Sequence, residues 1–483
     1  MKKKSCSQLR HQIASTRRLS VSAFFDLRAL IALVIFFAGV FLALFATSAP
    51  PPGPVTQAWV ARYNGPGNLD DGAHAIAGDS SGNVYVTGGS HGSGTDLDYA
   101  TIMYTSAGQQ QWVARFNGPA NGWDRAAAIA RDSSGNVYVT GQSLGLGTNF
   151  DYVTVKYDSA GQELWVARYN GPGNGEDDAV AIASDSSGNV YVTGVSLGSG
   201  TGSDYATINY DSVGQEQWVA RYNGPANGSD TPKGVAVDSS GNVYVTGRSL
   251  GSGGYFDYAT VKYDSAGQEQ WVARYNGPGN GHDDAEAIAV DSSGNVYVTG
   301  GSAGSDGYSD YATVKYDSAG QEQWVARYNG PRARAIAIDG SGNVYVTGES
   351  SGVSAVADYA TIKYNSAGQE QWVARYGDSR NYFNSAEAIA LDGSGNVYVT
   401  GVSLSSRSGY DYATIKYNST GQQQWVARYS GPGRGNEEGA STMVVDGSGN
   451  VYVTGASPGR NTGFDYATVK YVQNPTPTPR PRP

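Results

Sequence analysis

The chain has a single cysteine in 483 residues, Cys6, and it lies within the first 49. The remainder therefore cannot be a disulfide scaffold of the kind that stabilises small secreted domains. Histidine is nearly as scarce: of four, His74, His91 and His282 lie beyond residue 49 and are scattered, and no Ser/His/Asp arrangement stands apart. A hydrolytic or thiol enzyme lacks its usual material here. Basic residues are also few where they would matter. Seven of the 33 basic residues and one of the 43 acidic ones lie in the first 49 positions, which leaves the rest at about −16. That charge disfavours nucleic acid and anionic membrane surfaces as partners.

Long apolar runs are absent with one exception, residues 29–46. Preceded by Lys2, Lys3, Lys4, Arg10, Arg17, Arg18 and Arg28, this run makes residues 1–49 an export segment. It reads either as a signal peptide cut after Ser48 or Ala49, or, at 18 residues, as an uncleaved membrane anchor. The expected location is extracytoplasmic, secreted or held at the cell surface, with membrane contact only through that anchor. Residues 50–57, opening PPPGP, read as a Pro-rich linker. Residues 472–483, ending NPTPTPRPRP, read as a disordered Pro-rich tail in solvated polyproline II.

What is abundant is repetition. Eight copies of one unit run from Trp59 to Tyr471, each reading WVARY, AIAxD, GNVYVTG and DYATVKY, with the tryptophans 53 apart except for one step of 48. The shortened step falls in a loop, NGPRARA, and both flanking strand patterns survive. Four short strand signals per unit, bounded by DSSGN and SAG turns, predict a four-stranded propeller blade. Residues 58–471 are thus expected to form an all-β, eight-bladed propeller. The chain starts with WVARY and ends with DYATVKY, so residues 59–63 should complete the last blade and close the ring; an open array would expose two sheet edges.

The AIAVDSSGNVYVTG core at 287–300 resembles the bacterial SBBP beta-propeller repeat and, more distantly, NHL repeats, across all eight units. The resemblance implies an extracytoplasmic propeller and offers no catalytic residues to carry over. More weakly, YDSAGQELW at 157–165 resembles the tryptophan-docking turn of eight-bladed quinoprotein propellers, whose adjacent cysteine pair and cofactor-binding acids have no counterpart here.

Several columns of the repeat carry chemistry. An Arg follows each repeat Trp by three positions and an Asp opens each DY strand. Folding the hairpin sets them diagonally, so Arg115 with Asp98, Arg168 with Asp151 and, across the closure, Arg62 with Asp465 are expected as exposed structural ion pairs, each worth at most about 1 kcal/mol. The DSSGN and DGSGN aspartates lack the further oxygen ligands and closing Glu of a calcium loop and read as turn residues. Loops entering the AIAxD strands bring a second acidic column: Asp71, Asp124, Asp177, Asp178, Asp230, Asp283, Asp284, Glu437 and Glu438. Ring closure would gather these at one mouth of the central channel as a candidate site for calcium or a cationic ligand; alternatively each carboxylate hydrogen-bonds its own loop. Otherwise no metal or cofactor is expected. The loops between GNVYVTG and DYATVKY vary most and share a face with the acidic loops. Phe150, Tyr255, Phe256, Tyr308, Tyr410 and Phe464 are their candidate aromatic contacts. These features predict a monomeric, non-enzymatic binding or adhesion propeller for an extracellular or envelope protein, peptide or glycan. An envelope assembly scaffold is the alternative, and a quinoprotein-like enzyme a distant third.

Overall fold

The computed structural model describes residues 55–351, 357–377, 383–405, 408–433 and 438–473. The chain divides into Met1–Pro51 and Pro52–Pro483, and all of the described residues belong to the second unit. Residues 1–49, expected from sequence to be an export segment, lie outside them, and among the described residues no helix is long and apolar enough to cross a membrane.

Eight antiparallel four-stranded sheets form a ring of blades. In blade 1 the strands run outward as Asp71–Gly78, Val84–His91, Leu97–Tyr104 and Gln110–Phe116. AIAxD is thus innermost and WVARY outermost, and the innermost strands of successive blades touch. Neighbouring blades cover both faces of each sheet, which is why Val84, Tyr85, Val86 and Thr87 are all buried without alternation. Inside the sheet, facing threonines satisfy one another, as with Thr87 and Thr101 at 2.9 Å. Each innermost strand carries a bulge near its middle, between Ala73 and Ala75 in blade 1 and between Pro232 and Gly234 in blade 4. A proline is tolerated beside it because a bulge relaxes the ladder.

The last blade is completed from the N-terminus. Val55–Tyr63 lies antiparallel to Phe464–Gln473, with Trp59 opposite Lys470 and Tyr63 opposite Tyr466. Both strands are longer than expected, at the end where they meet: Val55 to Gln57, assigned from sequence to the linker, and Val472 and Gln473, assigned to the tail, all pair in this sheet. Val55 lies opposite Gln473 and Thr56 opposite Val472, so β-branched residues continue the ladder past the repeat motif.

Tryptophans join the blades. Trp59 Nε1 donates to the Ser106 carbonyl in the SAG turn of the next blade at 3.1 Å, and the same bond recurs from Trp112 to Ser159 and from Trp218 to Ser265. The turn glycine is obligatory here. Gly108 sits at φ +82°, and a Cβ on it would stand 2.6 Å from the Trp59 ring. Trp425 has no such turn to dock on, because the neighbouring blade is the one closed by two separate chain ends; among the described residues its buried Nε1 has no acceptor.

Candidate functional site

The Arg and Asp columns meet as the hairpin geometry requires. Arg115 lies opposite Ala100, diagonal to Asp98, and its Nη2 is 2.7 Å from the carboxylate. Arg168 and Asp151 are 2.9 Å apart and Arg62 and Asp465 2.8 Å. These are not the exposed pairs expected from sequence. Asp98, Asp151 and Asp465 are buried, and each arginine is a multiple clamp. Arg115 also donates to Ser90 Oγ and Ser90 O and, across the blade boundary, to Tyr63 Oη at 2.9 Å. In blade 2 the tyrosine partner is replaced by Phe116, and Arg168 keeps only the contacts within its own blade. The clamp therefore holds strand to strand and blade to blade.

Among the described residues the acidic column does not form a ring of free carboxylates. Asp71, Asp124, Asp177, Asp230 and Asp283 are wholly buried, each in its own loop. Asp71 Oδ2 accepts the Gly65 N–H at 2.6 Å and Oδ1 the His91 N–H at 3.0 Å; Asp177 holds Gly171 and Leu197 in the same way. Burial pushes these five pKa values up, opposed by those N–H bonds and by the neighbouring serines. Among the described residues no group of three or more acidic, His or Cys side chains is placed to hold a metal ion. Of the two arrangements open from the sequence, these five carboxylates take the one in which each accepts backbone N–H groups of its own loop. Glu437 lies outside the described residues. Asp178 projects from the opposite side of its strand to Asp177 and feels Arg125 and Lys233, while Asp284 is 3.3 Å from Arg248.

Glu438 is the strongest titrating member. Burial raises its pKa to about 7, opposed by the Gly431 N–H. Between about pH 4.5 and 7 the folded protein holds a proton that the unfolded chain has released, so stability falls as pH rises through that window. His74 works in the opposite sense. Its Nδ1–H donates to the Ala126 carbonyl at 2.8 Å and its Nε2 accepts from Arg125 at 3.3 Å; burial and that cation lower its pKa to about 4, so stability is lost as pH falls from 6.5 toward 4. Glu438→Gln is expected to abolish the first slope and leave the second exposed. Melting temperatures at about pH 5 and about pH 8 read the change; an unchanged profile would show that Glu438 does not titrate there.

The turn aspartates behave as turn residues. Asp132 Oδ1 accepts the N–H groups of Ser134 and Asn136, and Oδ2 accepts Asn136 Nδ2 and Tyr138 Oη. Burial alone would raise its pKa, but the hydrogen bonds outweigh it and the value falls below the ordinary one.

On the variable-loop side three aromatic side chains face solvent, beside the exposed Leu146 and Leu69 and the acids Asp70, Glu176 and Asp306. Tyr308 is 75% exposed, Trp123 51% and Tyr255 50%. The other expected contacts, Phe150, Phe256, Tyr410 and Phe464, are half-buried at or next to the start of their strands. Between blades 4 and 5 the aromatics adjoin polar groups. His282 packs on Tyr255 and Phe256 at 5.2 and 5.4 Å, and the Arg248 guanidinium stacks on Phe256 at 4.6 Å while pairing with Asp284.

Four stretches of the repeats match a known family. SBBP, described as a beta-propeller repeat, covers residues 111–151, 217–254, 270–308 and 323–353. Those four stretches are SBBP beta-propeller repeats. Among solved structures the chain is similar to the Dos1 propeller at 9% identity and TM-score 0.53, covering 87% of this chain and 95% of that one. It is also similar to a protein of unknown function from Bacteroides caccae at 11% identity and TM-score 0.34, over 57% and 90% of the two chains, and to one from Dyadobacter fermentans at 11% and 0.37, over 62% and 95%. No curated protein matches it significantly.

Two features of the ring escaped the sequence reading. Trp123 stands in a loop where other copies hold Asp70, Glu176, Ser229 or His282, outside the variable loops that drew attention. The second is a charge ladder over blades 5 to 7. Arg332 reaches Glu286 at 3.1 Å, Arg334 reaches Glu349 at 2.8 Å, and Ser385 bridges Glu349 and Glu387. Its members come from three blades and depart from the repeat consensus at neighbouring strand positions, which was the available signal.

Proposed function

We propose that this SBBP propeller is an exported, non-enzymatic binding module whose variable-loop face engages an extracytoplasmic glycan or peptide. The observation that carries the reading is the placement of Tyr308, Trp123 and Tyr255, large amphipathic side chains held out to solvent on one face of a rigid ring. Elsewhere the repeat hides its aromatics: Tyr99, Tyr152 and Tyr205 are fully buried and donate their hydroxyls to backbone carbonyls of the next blade. Exposed Tyr and Trp supply stacking area at low entropic cost, and hot spots of binding are enriched in them. The neighbouring Arg248, His282 and Asp284 supply hydrogen-bonding groups to orient a polar ligand. Export is supported by the basic, then apolar, N-terminal 49 residues.

Glycan and peptide arrays probed with the full chain should yield binders, and Tyr255→Ala/Tyr308→Ala should weaken them at least ~10-fold. The same number of substitutions among the turn-face serines should not. Equal loss from both sets, or none from the tyrosines, would overturn the assignment of the face.

A further inference from the structure

The opposite face, built from the DSSGN and SAG turns, contains a repeated arrangement with one gap in it. In blade after blade the tyrosine of NVYV, near the start of the second strand, offers its ring to a cation. Lys156 Nζ lies 5.0 Å from the Tyr138 centroid and donates to the Ser212 carbonyl at 2.8 Å. Lys262 repeats this over Tyr244, and Lys470 over Tyr452 with a 2.8 Å bond to Ser106. Lys315, Lys363 and Lys416 stand over Tyr297, Tyr345 and Tyr398. Blade 1 carries Met103 at this position, and the cation is restored from the neighbouring blade: Arg131 stacks on Tyr85 at 4.6 Å and binds the Gly78 carbonyl. Ammonium over an aromatic face is a favourable pairing, and the molecule installs it by two routes.

Blade 3 has neither route. Asn209 stands where the lysine would be and Val237 where Arg131 would be, and among the described residues no cation lies over Tyr191. A cleft of about 630 Å³ opens there between blades 3 and 4, lined by Tyr191, Asn209, Ser265 and the carboxylates Asp185, Asp211 and Asp238. The corresponding cleft at blades 5 and 6, which contains Lys315, measures about 490 Å³. Asn209 is only 3% exposed and its Oδ1 has no hydrogen-bond partner. An acceptor is therefore buried at the edge of an anionic cleft that lacks the ammonium six other blades supply.

We propose that the cleft between blades 3 and 4 binds a primary alkylammonium group, which lies on Tyr191 and takes the place of the missing lysine Nζ against Asn209 and the Ser265 carbonyl. The internal copies define the ligand chemistry: a CH₂ stem ending in a compact, three-donor cation. A divalent metal fits less well, since no three acidic side chains of the described residues converge. The site is independent of the loop-face reading and lies on the other side of the ring.

Calorimetric titration of the full chain at low ionic strength with n-butylammonium, putrescine and N-acetyl-lysine methylamide tests this, with calcium as the comparison ion. One-site binding of the amines is expected. Asn209→Lys, which restores the residue found in six blades, should weaken it at least ~10-fold and raise the melting temperature. Val237→Arg, which copies the blade 1 solution, should do the same by the other route. Tighter binding of putrescine would identify free polyamines as the source; tighter binding of the lysine derivative would identify a lysine side chain of a partner. Absence of amine binding, equal binding by Asn209→Lys and Val237→Arg, or a response to calcium alone would overturn the proposal.

Discussion

A chain lacking Val55–Tyr63 is expected to lose the closed ring and to aggregate. The deletion removes the outermost strand of blade 8 and with it part of the contacts that tie that blade to blade 1 and, through Tyr429, to blade 7. Trp59 packs between Tyr452 and Tyr104 at 6.0 and 6.3 Å and docks on Ser106, Tyr63 accepts from Arg115, and Arg62 clamps Ser457 and Asp465 while reaching Tyr429. Truncating a single large aromatic in a core costs about 3–5 kcal/mol, so the combined loss is on the order of the whole stability of an ordinary domain. It also leaves Phe464–Gln473 as an unpaired edge ten residues long, rich in β-branched and aromatic side chains. Size-exclusion elution and thermal melting read both consequences. A monomer that melts like the intact chain would show that seven complete blades and a three-stranded eighth hold the ring without closure. Trp59→Ala offers a milder form: it should lower stability while leaving the elution volume unchanged.

That closure was legible in the sequence because it depends on order rather than on energy. A repeat that begins one strand early and ends one strand short has a single way to complete itself within a ring. The extent of the strand was less legible. Val55 and Val472 join the sheet only because both chain ends continue past the motif in register, and the prolines on either side drew the boundary too close to the repeat. The acidic column shows the limit more clearly. Asp177 and Asp178 are adjacent in sequence, yet alternation along the strand sends the first into its loop and the second toward the neighbouring blades. Spacing could place these residues on the innermost strand, but the direction of each carboxylate depended on the glycine amides waiting at Gly65 and Gly171. The cation missing over Tyr191 was visible as a single letter, Asn209 among lysines, but its meaning required the blade partners Val237 and Ser265, which are far away along the chain.

Arg221→Ala is expected to cost about 3 kcal/mol, several times the value of a surface pair, because it strands a carboxylate inside the blade. Asp204 is buried; its Oδ2 takes the Arg221 guanidinium at 2.9 Å and the Thr201 hydroxyl at 3.0 Å, and its Oδ1 already has no partner. Without the arginine only the threonine remains. The substitution also frees Ser196 and Tyr169, so the damage reaches the preceding blade. Three further variants divide the effect. Tyr169→Phe removes only the bond between blades, a change the protein itself makes at Phe116, and should cost about 1 kcal/mol or less. Asp204→Ala leaves an arginine that is partly open to water and should be tolerated better than the reverse. The double variant Arg221→Ala/Asp204→Ala should be less destabilised than the sum of its parts, with a coupling of about 1–3 kcal/mol read from urea midpoints. Simple additivity would mean that the pair acts as two independent hydrogen-bonding groups. A loss below about 0.5 kcal/mol for Arg221→Ala would return the clamp to the status of a surface ion pair, whatever its burial. Because the same clamp recurs around the ring, the cost of one copy also measures how far the blades depend on electrostatics in addition to tryptophan docking.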